Sequence, residues 1–422
     1  IVLILVDYFA AHFIEKSKNQ KRKIFLLMSI LANVGILCFF KYFNFFFDSI
    51  AHALGIFNLN PNLPHLSIIL PLGLSFHVFQ SMSYTIEVYK KKFKAEKHLG
   101  IYALYVMFYP QLVAGPIERP YSLLPQFYEK HNFEASRVFN GLKIMLWGFF
   151  KKVVIADRLA LLVNPVFSSV GSYSGFTLLL ATYAFTFQIL CDFAGYSDIA
   201  IGASQVMGFN LRDNFNRPYL SSSITEFWNR WHMSLSNWFR DYVYIPLGGN
   251  RVSKLKWYRN IMIVFLISGL WHGADWKFVI WGGVHGLYVI LESIIKPLRD
   301  KIGKIVSILV TFNLVSFAWI FFRANTVKDA FQVINKIFAY LINFKGTILL
   351  DNYVLQNKEN FIIVFLLICF VGFIYLIEKH ENMRKMFAGK PIMFRWSIYY
   401  LLLLMIIFFG VFNQTKFIYF QF

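Results

Sequence analysis

The stretch Leu270-Trp-His-Gly-Ala-Asp-Trp-Lys-Phe-Val-Ile-Trp-Gly-Gly-Val-His-Gly286 decides how this chain is read. It continues from the apolar run Ile261 to Leu270 and leads into another, Leu287 to Ile295. That setting puts His272 and His285 at membrane depth, each followed by glycine and each near tryptophan. An ionisable side chain there costs free energy unless it faces a cavity, a partner or water, so it is a functional candidate by default. One isolated histidine is equally well explained as a hydrogen-bonded packing residue. The clustering with Trp and Gly, and a third histidine upstream at His232, favour chemistry.

Composition sets the frame. Of 422 residues, 57% are hydrophobic and 15% charged, and the mean hydropathy is +0.52. A soluble protein of this length needs far more polar surface, so repeated long apolar runs predict an all-α polytopic membrane protein. The 49 phenylalanines suit lipid-facing and interfacial positions. A net charge of +20 does not point to nucleic acid, because the Lys and Arg fall in short clusters between apolar segments, the pattern of the positive-inside rule. Cys38, Cys191 and Cys369 lie in apolar surroundings without metal-ligand spacing, so neither a structural disulfide nor a metal site is expected. No soluble domain, low-complexity tract or internal repeat stands out, and residues 1–422 read as a single membrane domain. The first residue is Ile1, and the run Ile1 to Phe13 is too short to span. A missing N-terminal segment with one or more helices is therefore expected.

Two basic clusters, Lys16 to Lys23 and Lys90 to Lys97, alternate with the spans Ile24 to Phe47 and Leu66 to Val88, and both are placed in the cytoplasm. Pro71 and Gly73 are expected to kink the second span, and Asn58 to His65 to face outward. Gly100 to Val113 is short and runs into Ala114-Gly-Pro-Ile-Glu-Arg-Pro120, which suggests a re-entrant or buried segment. Glu118 and Arg119 read as an ordinary turn with a local ion pair slightly better than as a functional pair. Val138 to Val163 carries Lys151, Lys152, Asp157 and Arg158, so it must be partly interfacial or line a polar interior.

Phe176 to Val206 is apolar but interrupted around Cys191 to Ile199, where glycine suggests a break lining a cavity. Asp192 and Asp198 sit six residues apart, about 120° around a helix, which argues against a shared acid/base site. In Thr225 to Tyr244, Trp228, Trp231, Leu235, Trp238 and Phe239 fall on one helical face, with Arg230, Ser234 and Asn237 opposite. That pattern predicts an interfacial or re-entrant amphipathic helix. A third basic loop spans Arg251 to Arg259. Spans follow at Ile305 to Phe322, Phe361 to Ile377 and Trp396 to Phe412, with an interfacial helix over Asp329 to Phe344. About nine to eleven apolar elements result, some of them not spanning.

Histidine takes a proton from a hydroxyl near neutral pH because its unperturbed pKa is about 6.5. The sequence holds no Gly-x-Ser-x-Gly, no His-Glu-x-x-His, and no tight metal spacing among His232, His272 and His285. General-base catalysis on an incoming hydroxyl remains, in a protein interior that keeps water from an activated acyl group.

Taken together, Ala114 to Pro120, Tyr196-Ser-Asp-Ile-Ala-Ile-Gly202, Phe227-Trp-Asn-Arg-Trp-His-Met-Ser-Leu-Ser236, Gly269-Leu-Trp-His-Gly273 and the ending Phe417 to Phe422 resemble the membrane-bound O-acyltransferase family. The likeness is to its bacterial branch that O-acetylates alginate, peptidoglycan and other envelope glycans and includes the D-alanylating enzyme of teichoic acids. The resemblance implies a ring of tilted and re-entrant helices around a central tunnel. It makes His272 the catalytic histidine, His232 a second motif histidine facing it across the tunnel, and His285 a supporting one. Trp271, Trp231, Asn229, Tyr196 and Asp198 are further tunnel or supporting candidates. No bound cofactor is implied. The co-substrate is an acyl donor such as acetyl-CoA or an acyl carrier, arriving from the cytoplasm. The implied partners are membrane lipid, a polysaccharide acceptor and an exported or membrane-anchored transferase, at the bacterial cytoplasmic (inner) membrane. The rivals are D-alanyl transfer from a carrier protein and, from another class, a transporter, although no paired repeat halves are visible.

Overall fold

A computed structural model describes residues 1–59, 63–67, 71, 73–299, 301–343, 353, 357–377, 390–412 and 417–418. No strand occurs among them. Among the described residues five helices are long and apolar enough to cross a bilayer: Asn19–Gly55, Gly175–Met207, Trp276–Pro297, Lys304–Arg323 and Ile392–Phe409. The chain is an all-α polytopic membrane protein, as its hydropathy pattern predicts.

The N-terminal part comprises α1 (Val2–Lys16) and α2 (Asn19–Leu37), which runs through a π-helical turn at Cys38–Tyr42 into α3 (Phe43–Gly55). This first span is longer than the expected Ile24 to Phe47. The next helix, α4 (Leu74–Tyr89), is shorter than expected. It starts after Pro71 and Gly73 instead of being kinked by them, because Gly73 adopts the non-helical φ +72 as the N-cap before Leu74. Residues 68–70 and 72 of that expected span, and 60–62 of the expected outer loop, lie outside the described residues. α1, α2 and α4 enclose Asp7, whose carboxylate accepts from Ser29 Oγ at 2.6 Å and Asn33 Nδ2 at 2.9 Å. The short run at 100 to 113 gives α5 (Leu99–Val106), with Tyr102 and Tyr105 fully buried among neighbouring helices.

Ahead of α6 (Pro120–Leu123), Glu118 and Arg119 are both buried, but they do not pair with each other. Glu118 accepts from Arg212, and Arg119 reaches Asp241 at 3.0 Å and Ser83 at 3.2 Å. The local ion pair expected from the sequence is replaced by two long-range ties. Partners 94 and 122 residues away leave no local trace.

α7 (Ala135–Phe149) passes through a π turn at Phe150–Ala156 into α8 (Asp157–Ser168) and lies against α9 (Gly175–Met207). The 33-residue α9 is unbroken, contrary to the interruption expected at Cys191 to Ile199. Its glycines serve close helix crossing. A methyl on Gly202 would lie 2.5 Å from the Gly141 carbonyl oxygen, and one on Gly195 would lie 2.8 Å from that of Gly148. The charges foreseen for this region are matched internally. Lys151 pairs with Asp198 at 2.6 Å, and Lys152 with Asp192 at 2.6 Å and Asp157 at 2.7 Å. The two carboxylates of α9 thus go to separate lysines, in keeping with their different faces.

The Trp-rich stretch is not the single interfacial or re-entrant amphipathic helix that its pattern predicts. It breaks into α10 (Ile224–Arg230) and α11 (Met233–Phe239), with Trp231, Leu235, Trp238 and also Ser234 buried. Then come α12 (Lys254–His272) and α13 (Trp276–Arg299), which pack together as a hairpin, followed by α14 (Lys304–Arg323). α15 (Val327–Ile342) starts at a Thr326/Asp329 capping box. It turns Ala330, Val333, Ile334 and Ile337 inward, while Phe331, Phe338 and Leu341 are exposed, so its expected apolar face is divided between core and surface. α16 (Lys358–Ile377) and α17 (Ile392–Phe409) complete the described helices.

Candidate functional site

The quoted stretch folds as the tip and returning arm of the α12–α13 hairpin. Glycines bring the two helices into backbone contact: a methyl on Gly269 would lie 2.2 Å from the Phe278 carbonyl oxygen, and one on Gly282 would lie 2.2 Å from that of Phe265. His272 is the last residue of α12 and is 4% exposed. A helix end leaves carbonyls without intrahelical partners. Here three of them are met by side chains from the π turn after α2: Tyr42 Oη donates to the Leu270 carbonyl at 2.8 Å, and Lys41 Nζ to those of Trp271 at 2.8 Å and His272 at 3.1 Å. A cation at a helix C-terminus is also favoured by the helix dipole. Lys41 therefore fixes the end of the helix that presents His272.

Aromatic rings connect the three histidines. His272 packs edge-to-face on Trp271 (5.0 Å between centroids) and on Trp281 (4.9 Å). Trp281 in turn meets His285 at 5.0 Å, and Trp271 meets His232 at 6.2 Å. His285 Nδ1 accepts from the Trp228 indole at 3.3 Å, so in the neutral ring Nε2 carries the proton. His232 lies between α10 and α11 at φ +42, a left-handed conformation rare for a residue with a Cβ. Asn214 holds it there. The Asn214 carbonyl accepts from Met233 N–H at 2.9 Å, and its Oδ1 accepts from Ser234 N–H at 3.2 Å and faces His232 Nδ1 at 3.4 Å. Because that Oδ1 can only accept, Nδ1–H donates and Nε2 keeps its lone pair. His232 and His285 are both fully buried, and neither Nε2 has a partner among the described residues. Non-glycine backbone strain of this kind concentrates at functional sites.

The other sequence candidates divide. Trp271 stands between His272 and His232, with Phe79 stacked on it at 5.2 Å. Trp231 is buried against Phe227, Phe215 and Trp319, behind the histidine row. Tyr196 packs on Phe417 at 5.1 Å, and Asp198 is committed to Lys151. Asn229 is exposed on α10. Sequence reasoning passed over Lys41, Asn214 and Trp281. Lys41 had a usable signal, being a lone cation inside the apolar run Ile24 to Phe47.

Such a site can accept a proton and hold polar atoms of a substrate in an otherwise apolar interior. Three comparisons bear on what that substrate chemistry is. The chain is 37% identical over 364 residues to a peptidoglycan O-acetyltransferase of Helicobacter pylori, covering 78% of this chain and 68% of that protein. It is 39% identical over 317 residues to a probable alginate O-acetylase, AlgI, of Pseudomonas aeruginosa (75% and 60%). It is 29% identical over 280 residues to a teichoic acid D-alanyltransferase of Bacillus subtilis (62% and 71%). The chain thus spans roughly two thirds of the length of these relatives. Residues 25–326, which contain the whole histidine row and the Lys41 turn, match the family model of the membrane-bound O-acyltransferases. This chain belongs to the membrane-bound O-acyltransferase family.

Proposed function

We propose that this chain moves an acyl group, acetyl in the first instance, from a cytoplasmic thioester donor toward a hydroxyl of a cell-envelope polysaccharide, with His272 as the general base. The carrying observation is the buried row of His272 and His285 on the α12–α13 hairpin with His232 from the α10–α11 turn, in a chain of an acyltransferase family. The acceptor O–H gives its proton to the His272 imidazole as its oxygen bonds to the acyl carbon. The C–S bond then breaks, and the imidazolium returns that proton to the leaving thiolate. His232, with its Nε2 lone pair directed away from Asn214, accepts from a neighbouring hydroxyl of the acceptor sugar and so holds the acceptor without being the base. The buried surroundings exclude water, which would otherwise hydrolyse the donor. A tunnel through the helices lets the donor come from the cytoplasm and the acceptor from outside, in the bacterial inner membrane, with an exported or membrane-anchored transferase as partner.

The relatives named O-acetyltransferase or O-acetylase match at higher identity than the D-alanyltransferase, which favours acetyl over D-alanyl transfer, and the family match favours transfer over transport. The test presents radiolabelled acetyl-CoA, an acetylated carrier protein or a D-alanyl-charged carrier protein to inverted membrane vesicles containing the protein. Acetyl label in envelope glycan is expected. Label from the D-alanyl donor alone would overturn the acetyl reading, and label from none would overturn transfer itself. In the same assay His232→Gln should retain more activity than His272→Gln. Equal loss would make the two histidines one catalytic unit.

A further inference from the structure

A buried indole N–H normally finds an acceptor. This protein follows the rule at several sites. Trp238 donates to the Phe79 carbonyl and the Ser83 hydroxyl, both at 2.9 Å, and Trp319 donates to the Tyr219 hydroxyl at 3.1 Å. Trp257 donates to the Tyr244 hydroxyl at 2.8 Å, and Trp228 to His285. The two indoles packed edge-to-face on His272 differ. Trp271 is 4% exposed and Trp281 0%, and neither Nε1–H has an acceptor among the described residues. Leaving a buried donor unmade is costly, so a pair of them against one imidazole calls for a reason. Packing gives none, since phenylalanine fills an apolar pocket without a donor to satisfy.

Acyl transfer supplies an acceptor at this place. As a hydroxyl oxygen adds to the acyl carbon beside His272, the carbonyl π pair moves onto oxygen and leaves an oxyanion, which fixed donors in a dry site stabilise. We propose that the indole N–H groups of Trp271 and Trp281 donate to that oxygen, so that the hairpin carries both the base and its oxyanion donors. The proposal rests on the reading of His272 as general base. The indoles keep their protons throughout. The oxyanion collapses by expelling the thiolate, which takes its proton from the imidazolium. Trp281 is held for this task on several sides, by Trp319 stacked at 5.6 Å, Phe322 at 5.3 Å and Trp228 at 5.7 Å.

The deciding experiment replaces Trp281, and separately Trp271, with 3-benzothienylalanine, which keeps the bicyclic shape and exchanges N–H for sulfur. Trp281→Phe is a second variant. Transfer from radiolabelled acetyl-CoA is measured in vesicles, with His272→Ala alongside and thermal stability followed for each protein. The loss of one oxyanion donor is expected to lower kcat roughly a hundredfold or more, with the donor KM changed less than about twofold, because the bond matures only in the transition state. Wild-type kcat in both benzothienyl variants overturns the proposal, as does a rise in KM at constant kcat. If those variants are fully active while His272→Ala is inactive, only the indole role falls. If His272→Ala is also active, the base reading falls first.

Discussion

Replacing Gly282 by alanine tests whether the histidine site depends on backbone contact between α12 and α13. The added methyl would stand 2.2 Å from the Phe265 carbonyl oxygen, 3.0 Å from its carbon and 3.2 Å from Gly269 Cα. Ordinary contact for a Cβ begins at 3.4 Å, so the helices must part by about 1.2 Å, the difference between 3.4 and 2.2 Å. Every atom in the way belongs to backbone, and no rotamer change relieves it. Overpacking of this kind costs about 1–3 kcal/mol, against which alanine regains about 1 kcal/mol of helix propensity. The larger effect is on rate. Trp281 and His285 ride on α13 and His272 ends α12, so the separation pulls the row apart, and a misplacement near 1 Å costs on the order of a hundredfold. Gly283 is the internal control, since a methyl there meets only Leu266 Cδ2 at 3.6 Å. Acyl transfer per folded protein in membranes and detergent thermal stability are the readouts. Gly282→Ala should be slow, while Gly283→Ala should be near wild type and no less stable. Equal behaviour of the two variants would refute the close-packing argument.

Lys41→Met removes the donor to the Trp271 and His272 carbonyls, bonds to a charged group worth about 1.5–3 kcal/mol. Transfer assays should find kcat down at least about tenfold, donor KM little changed and partial recovery in Lys41→Arg; an unaffected kcat would count against the positioning role. Lys152→Met strands the buried carboxylates of Asp157 and Asp192, a loss of about 3–5 kcal/mol. Folded protein in membranes, measured by size-exclusion fluorescence, should drop sharply, and a normal yield would show the triad to be dispensable. Arg22 donates to the Val88 and Tyr89 carbonyls, so the clusters Lys16 to Lys23 and Lys90 to Lys97 lie beside each other. A cysteine near Lys92 should resist an impermeant maleimide in intact cells while one at Asn58 reacts; the opposite pattern would invert the topology.

The fold class was legible because apolar run length and the placement of Lys and Arg are direct consequences of the bilayer. The buried position of His272 was legible for a related reason, since a titratable group inside an apolar run is costly enough to announce itself. The Trp228 to Phe239 stretch misled because its spacing suits one continuous helix, while the left-handed turn at His232 that divides it is held by Asn214 from outside the stretch. Gly195 looked like a break in α9 because sequence alone does not separate a glycine that bends a helix from one that lets another helix approach. The ties of Glu118 and Arg119 depend on distant partners and had no local signature. Trp281 reads as ordinary packing until its unmet donor is seen.

The most direct test of the central claim is the rate of acyl transfer from labelled acetyl-CoA to envelope glycan by His272→Ala in inverted vesicles, normalised to folded, membrane-inserted protein. Loss of a general base predicts a fall of roughly a hundred- to ten-thousand-fold. A normally folded His272→Ala protein that keeps more than about a tenth of the wild-type rate contradicts the account, because no contribution expected of a base is that small.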